Sequence, residues 1–346
     1  MSYEELARAA RGNIGPFCKA CPVCDGRACA GVMPGPGDKG VGRVAHGNWE
    51  AWQRLRVNMD TLHGSFSADT RATVLGCELS VPVMIGPVGD VQRHYGERYD
   101  TVTYNRCVLE AAAGEGTLAW TGDGLDASIM TEACGLIASL GGRGVPTVKP
   151  WDAATLDAKL NQALEASPAA VAMDIDAAGL PFLRGQEPPA GAKSAAEVAE
   201  IVSRCHERNV PFVLKGVMTP RAASRAAEAG VDAIVVSNHG GRVLDGTPAT
   251  AGVLPDIVSA VGDEVEVLVD GGIRSGLDVF RAIALGARAC LVCRPFVVAA
   301  FGGGERGVRN YLGQLRSELA DVMEMCGTPS LRDVSREALW ALRDDR

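Results

Sequence analysis

Residues 211–250 read PFVLKGVMTPRAASRAAEAGVDAIVVSNHGGRVLDGTPAT. Two short apolar runs, PFVLK (211–215) and AIVVS (233–237), flank a helical pattern, and that order marks a βα unit feeding a parallel sheet. The same alternation recurs outward from this stretch. Upstream, from about residue 81, lie PVMIG (82–86), TLAW (117–120), PTVK (146–149) and AVAMDID (170–176); downstream lie EVLVD (266–270) and ACLVC (289–293). Eight such units, with no repeated dinucleotide fingerprint, predict an α/β fold closed as a TIM (β/α)8 barrel rather than opened as a doubly wound sheet.

The remainder of the 346 residues fits around that barrel. Residues 1–60 read as a Cys-containing N-terminal extension, 61–330 as the barrel and 331–346 as a C-terminal tail with a short helix and a charged end. An amphipathic pattern over 306–326 is expected to close the barrel, and the GQEPPAGA run between Arg184 and Lys193 to be loop. A hydrophobic content of 47% with 22% charged residues suits one large core. The formal charge of −8 and the lack of a basic run speak against nucleic-acid or anionic-membrane partners. No stretch has the apolar length of a membrane span or a leader, so a cytoplasmic location is expected.

In a βα barrel the C-terminal strand ends carry the chemistry, and here several are polar: Asp176, Lys215, Ser237 and Asp270. Such a residue can also simply end a strand in water. The run SNHGGRVLDGTPAT (237–250) is harder to explain by packing. His239 suits a general base near neutral pH, Gly240 and Gly241 let backbone approach a ligand, and Arg242 offers a fork for a carboxylate. After the seventh and eighth strands, DGGIRSG (270–276) and CRP (293–295) have the glycines and arginines of a phosphate site.

The runs KGV, SNHGGRVLDG, PAT, DGGIRSG, LGARA and CRPF together resemble the signature of the FMN-dependent 2-hydroxy-acid oxidases and dehydrogenases, over roughly residues 75–330. That resemblance implies FMN as cofactor and oxidation of a small 2-hydroxy acid to the 2-oxo acid. Oxygen or an electron carrier would be the acceptor, and the assembly a homotetramer or larger. It assigns Lys215 to the flavin N1 and O2, His239 to the base, Asp176 to orienting that base, and Arg242 with Arg184 to the substrate carboxylate. Pro87, Val88 and Gly89 would lie against the flavin face; Thr121, Ser237, Asp270, Gly272, Arg274, Cys293 and Arg294 would complete the FMN site. The chain departs from the pattern where Thr147 and Lys149 stand for Gln-x-Tyr, Asp174 for a Thr, and Cys293 for a Gly. Two other readings stay open: a flavin-dependent isomerase or racemase on a carboxylate substrate, and a non-catalytic FMN- or metal-binding redox sensor.

Cys18, Cys21, Cys24 and Cys29 form C-x2-C-x2-C-x4-C, a spacing that can close around one centre. An iron–sulfur cluster, structural zinc and reduced metal-free thiols are all open, and a cluster would allow electrons to pass between flavin and an external carrier. The other seven cysteines (Cys77, Cys107, Cys134, Cys205, Cys290, Cys293, Cys326) are expected as small apolar core residues. His46, His63, His94 and His206 are expected in surface or structural roles.

Overall fold

The computed structural model describes residues 1–340. All eight expected strands are present, as β1 (Val83–Ile85), β2 (Trp120–Thr121), β3 (Val145–Val148), β4 (Val171–Asp174), β5 (Phe212–Val217), β6 (Ala233–Val236), β7 (Glu266–Val269) and β8 (Ala289–Val292). They pair in parallel in the order β1-β8-β7-β6-β5-β4-β3-β2. A parallel bridge from Ile85 to Ala119 joins the two ends, with the Ile85 N–H donating to the Leu118 carbonyl at 3.0 Å. The sheet is therefore a closed barrel.

The strands read as continuous apolar runs because both faces are buried, each in a different core. Met84, Trp120, Val145, Ala172, Val213, Val235, Leu268 and Leu291 pack together inside the barrel. Their neighbours Ile85, Met173, Leu214, Ile234, Val267 and Val292 face the surrounding helices. A hairpin of Ala72–Val74 and Cys77–Leu79, not anticipated from the sequence, plugs the bottom with Val74, Leu75 and Leu79. Cys77 is thus half-buried on the plug rather than in the core, and Cys293 is half-buried at the top. Cys107, Cys134, Cys205, Cys290 and Cys326 are buried as expected.

The N-terminal extension is no separate body. Tyr3, Leu6, Ala7, Ala10 and Trp52 share the outer core with the barrel. The helix Tyr3–Ala10 lies on the closing helix so tightly that a Cβ on Gly302 would sit 2.1 Å from the Leu6 carbonyl oxygen. The closing helix is longer than the sequence pattern suggested, Arg294–Met325, with a kink at Gly304. Its apolar first half, PFVVAAF (295–301), is buried all round, so no amphipathic stripe announced it. The C-terminal segment is also tied in: Leu339–Trp340 pairs antiparallel with Arg56–Val57 after two single turns of 3-10 helix. The charged end beyond residue 340 lies outside the described residues. Among the described residues no helix is long and apolar enough to cross a membrane.

Candidate active site

The C-terminal strand ends surround a cavity of about 330 Å³. Pro87, Val88 and Gly89 line it after β1, Lys215 on β5, His239, Gly240 and Arg242 after β6, Asp270, Gly272 and Arg274 after β7, and Cys293 and Arg294 after β8. Thr121 and Ser237 are fully buried at the ends of β2 and β6. Arg184 is the exception: it is exposed and does not line the cavity.

The loop after β6 is built to hold His239. Its φ of +54° is a left-handed conformation that costs a non-glycine residue energy. The conformation is held from three sides. The Ser237 hydroxyl accepts the His239 N–H at 3.1 Å, and the Asn238 side chain accepts the Gly240 N–H at 3.1 Å. Nδ1 of His239 lies 3.0 Å from Asp176 Oδ1, on the 3-10 turn Ile175–Gly179 that follows β4. With Nδ1–H donating to that carboxylate, Nε2 keeps its lone pair, and the carboxylate stabilises the imidazolium that forms when Nε2 takes a proton.

Beneath this pair Lys215, 3% exposed, is flanked by Asp174 at 2.8 Å and Asp270 at 3.6 Å. Burial works against its charge, but Asp174 and Asp270 overcome that and hold it above the usual lysine range. Burial likewise opposes the charge on Asp174, and Lys215 overcomes it, so Asp174 is held below the usual carboxylate range. Asp270 moves the other way: burial raises it, and the more distant lysine and the Ser237 hydroxyl at 2.9 Å only moderate the rise. The closer carboxylate is therefore the one that carries the counter-charge. Asp174, Asp176 and His239 each bring an oxygen or nitrogen within 4.8 Å of the others, but with the Lys215 ammonium on Asp174 they form a proton network rather than a cation site.

The glycine-rich loop of the extension lies over the barrel mouth. The Lys39 N–H donates to the Gly241 carbonyl at 2.8 Å, and Arg242 Nη1 donates to the carbonyls of Gly35 at 2.6 Å and Gly37 at 3.2 Å. Burial lowers the Arg242 guanidinium to about 10, which leaves it charged. Asn48, on the helix Val44–Arg54, exchanges two hydrogen bonds with Asn238 at 2.8 and 3.0 Å, one residue from His239. Asn48 was invisible in the sequence, where a lone Asn in a mixed stretch carries no pattern.

His94 was also missed. Rather than a surface or purely structural residue, it is buried, lines the cavity, accepts the Gly35 N–H at 2.9 Å and has Nε2 3.2 Å from Arg242 Nη2. Burial, aided by Arg242, Arg93 and Lys149, pushes its pKa down from 6.5 to about 3. The unfolded chain takes up this proton near pH 6.5 and the folded chain only near 3, so stability falls as pH drops through that window. The slope is at most about 1.4 kcal/mol per pH unit. His94→Gln, which keeps an acceptor for Gly35, is expected to flatten urea-denaturation stability between about pH 6 and 4.5 relative to wild type. An unchanged slope would show that His94 is not the residue resisting protonation.

The four N-terminal cysteines line one small cavity of about 20 Å³ together with Tyr95 and Arg294, both of which also line the large cavity. Arg274 Nε donates to the Cys24 carbonyl at 2.6 Å and so anchors the loop. No three of the sulfurs lie within 4.8 Å of one another, so the donor set suits a thiophilic ion but is not closed around one. Burial raises Cys18 to about 12 and moves Cys21 and Cys29 upward as well, favouring the protonated thiols.

Fold and site together define a (β/α)8-barrel whose mouth unites a carboxylate-oriented histidine, a buried lysine and an arginine-flanked glycine turn. The family model for FMN-dependent dehydrogenases matches residues 36–184 and 189–341, and the chain belongs to that family. Over 127 residues it is 46% identical to peroxisomal (S)-2-hydroxyacid oxidase GLO3 of Arabidopsis thaliana, covering 37% of this chain and 35% of the relative. Over 125 residues it is 51% identical to pre-mycofactocin synthase of Mycobacterium tuberculosis, covering 36% of this chain and 32% of the relative. These matches span about a third of the relatives' length. Among solved structures, a mandelate oxidase variant with (S)-mandelic acid superposes with a TM-score of 0.79 at 28% identity, over 98% of this chain and 97% of that one. A lactate oxidase of Pediococcus acidilactici gives 0.78 at 26% identity, over 99% and 94%.

The residues fit FMN, the cofactor of the family. Thr121 Oγ1, Thr147 Oγ1 and Asp270 Oδ1 are buried polar atoms without a protein hydrogen-bond partner at the strand ends, where a heterocycle with donors and acceptors would meet them. Gly272, at φ +82°, brings bare backbone to the cavity wall; a Cβ there would lie 2.4 Å from the carbonyl of Asn48. Gly272→Ala is accordingly expected to lose FMN and to lower the melting temperature by several degrees, read by flavin absorbance and thermal unfolding. Unaltered flavin content and melting would show that this turn has room to spare.

Proposed function

We propose that this chain is an FMN-dependent oxidoreductase that oxidises a 2-hydroxy acid to the 2-oxo acid. The observation that carries the reading is the pairing of His239 with Asp176 at 3.0 Å in the same cavity as Lys215 and Arg242. Pro87, Val88, Gly89, Thr121, Ser237, Asp270, Gly272, Arg274, Cys293 and Arg294 would hold FMN, with Lys215 at its pyrimidine edge. FMN supplies the two-electron acceptor when bound. Arg242 holds the substrate carboxylate and so turns its hydroxyl toward His239. Nε2 then takes the hydroxyl proton as the C–H bond gives up its electron pair and hydrogen, and Asp176 steadies the charge that develops on the ring. Lys215 balances negative charge gained by the cofactor. Ile129, Leu180 and Phe182 give the cavity an apolar wall, which favours acids with a hydrophobic side chain over glycolate.

The test is the visible spectrum of anaerobically purified protein before and after L-lactate, 2-hydroxy-4-methylpentanoate and mandelate. Bleaching of the flavin bands supports the reading. Intact bands with every acid, together with product isomers formed without an acceptor, would move the reaction to isomerisation. From the family resemblance we also propose oxygen or an electron carrier as acceptor and a homo-oligomer of four or more copies, and from the acidic, span-free sequence a cytoplasmic location. For Cys18, Cys21, Cys24 and Cys29 the spacing favours a metal and the open sulfur arrangement favours free thiols. Iron, sulfide and zinc analysis of the anaerobic protein decides between them.

A further inference from the structure

We infer that Lys149, rather than Arg184, is the second cation that holds the substrate carboxylate. The inference rests on the reading above and names a residue that the resemblance offers only as a missing tyrosine. Lys149 follows β3 at the cavity wall and is 7% exposed. Its ammonium has no hydrogen bond or ion pair among the described residues, although carboxylates stand nearby. Each of them is already engaged. Asp123 accepts from the backbone N–H of Lys149 at 3.0 Å, from the Gly124 N–H at 2.7 Å and from Trp151 Nε1 at 2.6 Å, and it pairs with the Lys159 ammonium. Asp174 is held by Lys215 at 2.8 Å.

An ammonium on the cavity wall that no protein carboxylate pairs is free to hold a bound anion by a charge-assisted contact. The anion has a second reason to need Lys149. Arg242 spends Nη1 on the Gly35 and Gly37 carbonyls, so its fork is only partly free for a ligand. Lys149, Arg242 and His94 all line the same cavity. Arg184, by contrast, is exposed at the far end of the turn after Leu183 and does not line the cavity. Ile129, Leu180 and Phe182 also line this cavity, and one carboxylate shared by Lys149 and Arg242 would satisfy both cations.

The test is a titration of oxidised holoenzyme with 2-oxo-4-methylpentanoate, a carboxylate that flavin cannot oxidise, followed by the shift of the flavin bands. Lys149→Met should weaken binding about tenfold to a hundredfold, as expected for loss of a charge-assisted contact. Lys149→Arg should retain most of the affinity, and Arg184→Ala should match wild type. Flavin content and melting temperature of each variant separate lost binding from lost folding. Wild-type affinity in Lys149→Met, or a large loss in Arg184→Ala, overturns the assignment. Wild-type protein that binds the acid but is reduced by no hydroxy acid removes the proposed reaction while the Lys149 result still stands on binding. Protein that binds no carboxylate removes both.

Discussion

In His239→Gln the flavin stays oxidised: its rate of reduction by the best substrate falls about 10²- to 10⁴-fold, the range that a positioned general base contributes. Glutamine fills much of the imidazole's space and can still reach Asp176, so FMN content and 2-oxo acid affinity should be close to wild type. The variant therefore loses proton transfer without losing the cavity. Stopped-flow reduction under anaerobic conditions measures it. A loss of less than about tenfold would mean that another group takes the hydroxyl proton, and the Asp176 pairing at 3.0 Å would then be a structural hydrogen bond.

Lys215→Met has the largest expected effect on stability. It removes the cation from between Asp174 and Asp270, both about 5% exposed, and leaves two carboxylates with no counter-charge. Breaking a buried pair from one side costs about 3–5 kcal/mol. The pH dependence follows from the directions of the shifts. Lys215 is raised, so its contribution is present below the unfolded lysine value near 10.4 and is lost as pH rises through the folded one. Asp174 is lowered, so its contribution is present above about 3.9 and is lost as pH falls through its folded value. Wild-type stability from the pair is thus flat between about pH 5 and 9. In the variant a carboxylate can escape only by taking a proton, so the deficit should be full at pH 8 and shrink toward pH 5. Guanidinium denaturation at both pH values reads it. Adding Asp174→Thr should recover much of the loss; no recovery would mean that the ion pair is not its source.

The barrel was legible because its strands are buried on both faces and so appear as short apolar runs at regular spacing, and the loop after β6 stood out as a candidate site because histidine, two glycines and arginine in succession make poor packing. What lay hidden was set by contacts between distant segments. His94 sits on the five-residue helix Val91–Tyr95, too short to show periodicity, and acquires its place only when Gly35 and Arg242 close on it. Asp123 looks like any loop aspartate until Trp151 and Lys159 arrive from the next unit. Arg184 was placed by resemblance alone, and its side chain is exposed. The closing helix was read too short because a helix buried on every side shows no polar face.

The paired amides of Asn48 and Asn238 couple a segment outside the barrel to the residue before His239. A barrel cut free at residue 61 would lose the partner that holds Asn238 and the carbonyls that hold Arg242, and would bare the outer-core surface that Tyr3, Leu6, Ala7, Ala10 and Trp52 cover. The geometry of the loop after β6 and the integrity of the barrel therefore both depend on the first sixty residues. Drift at one amide or one glycine of that segment can shift the loop after β6, provided the apolar positions that pack on the barrel are kept.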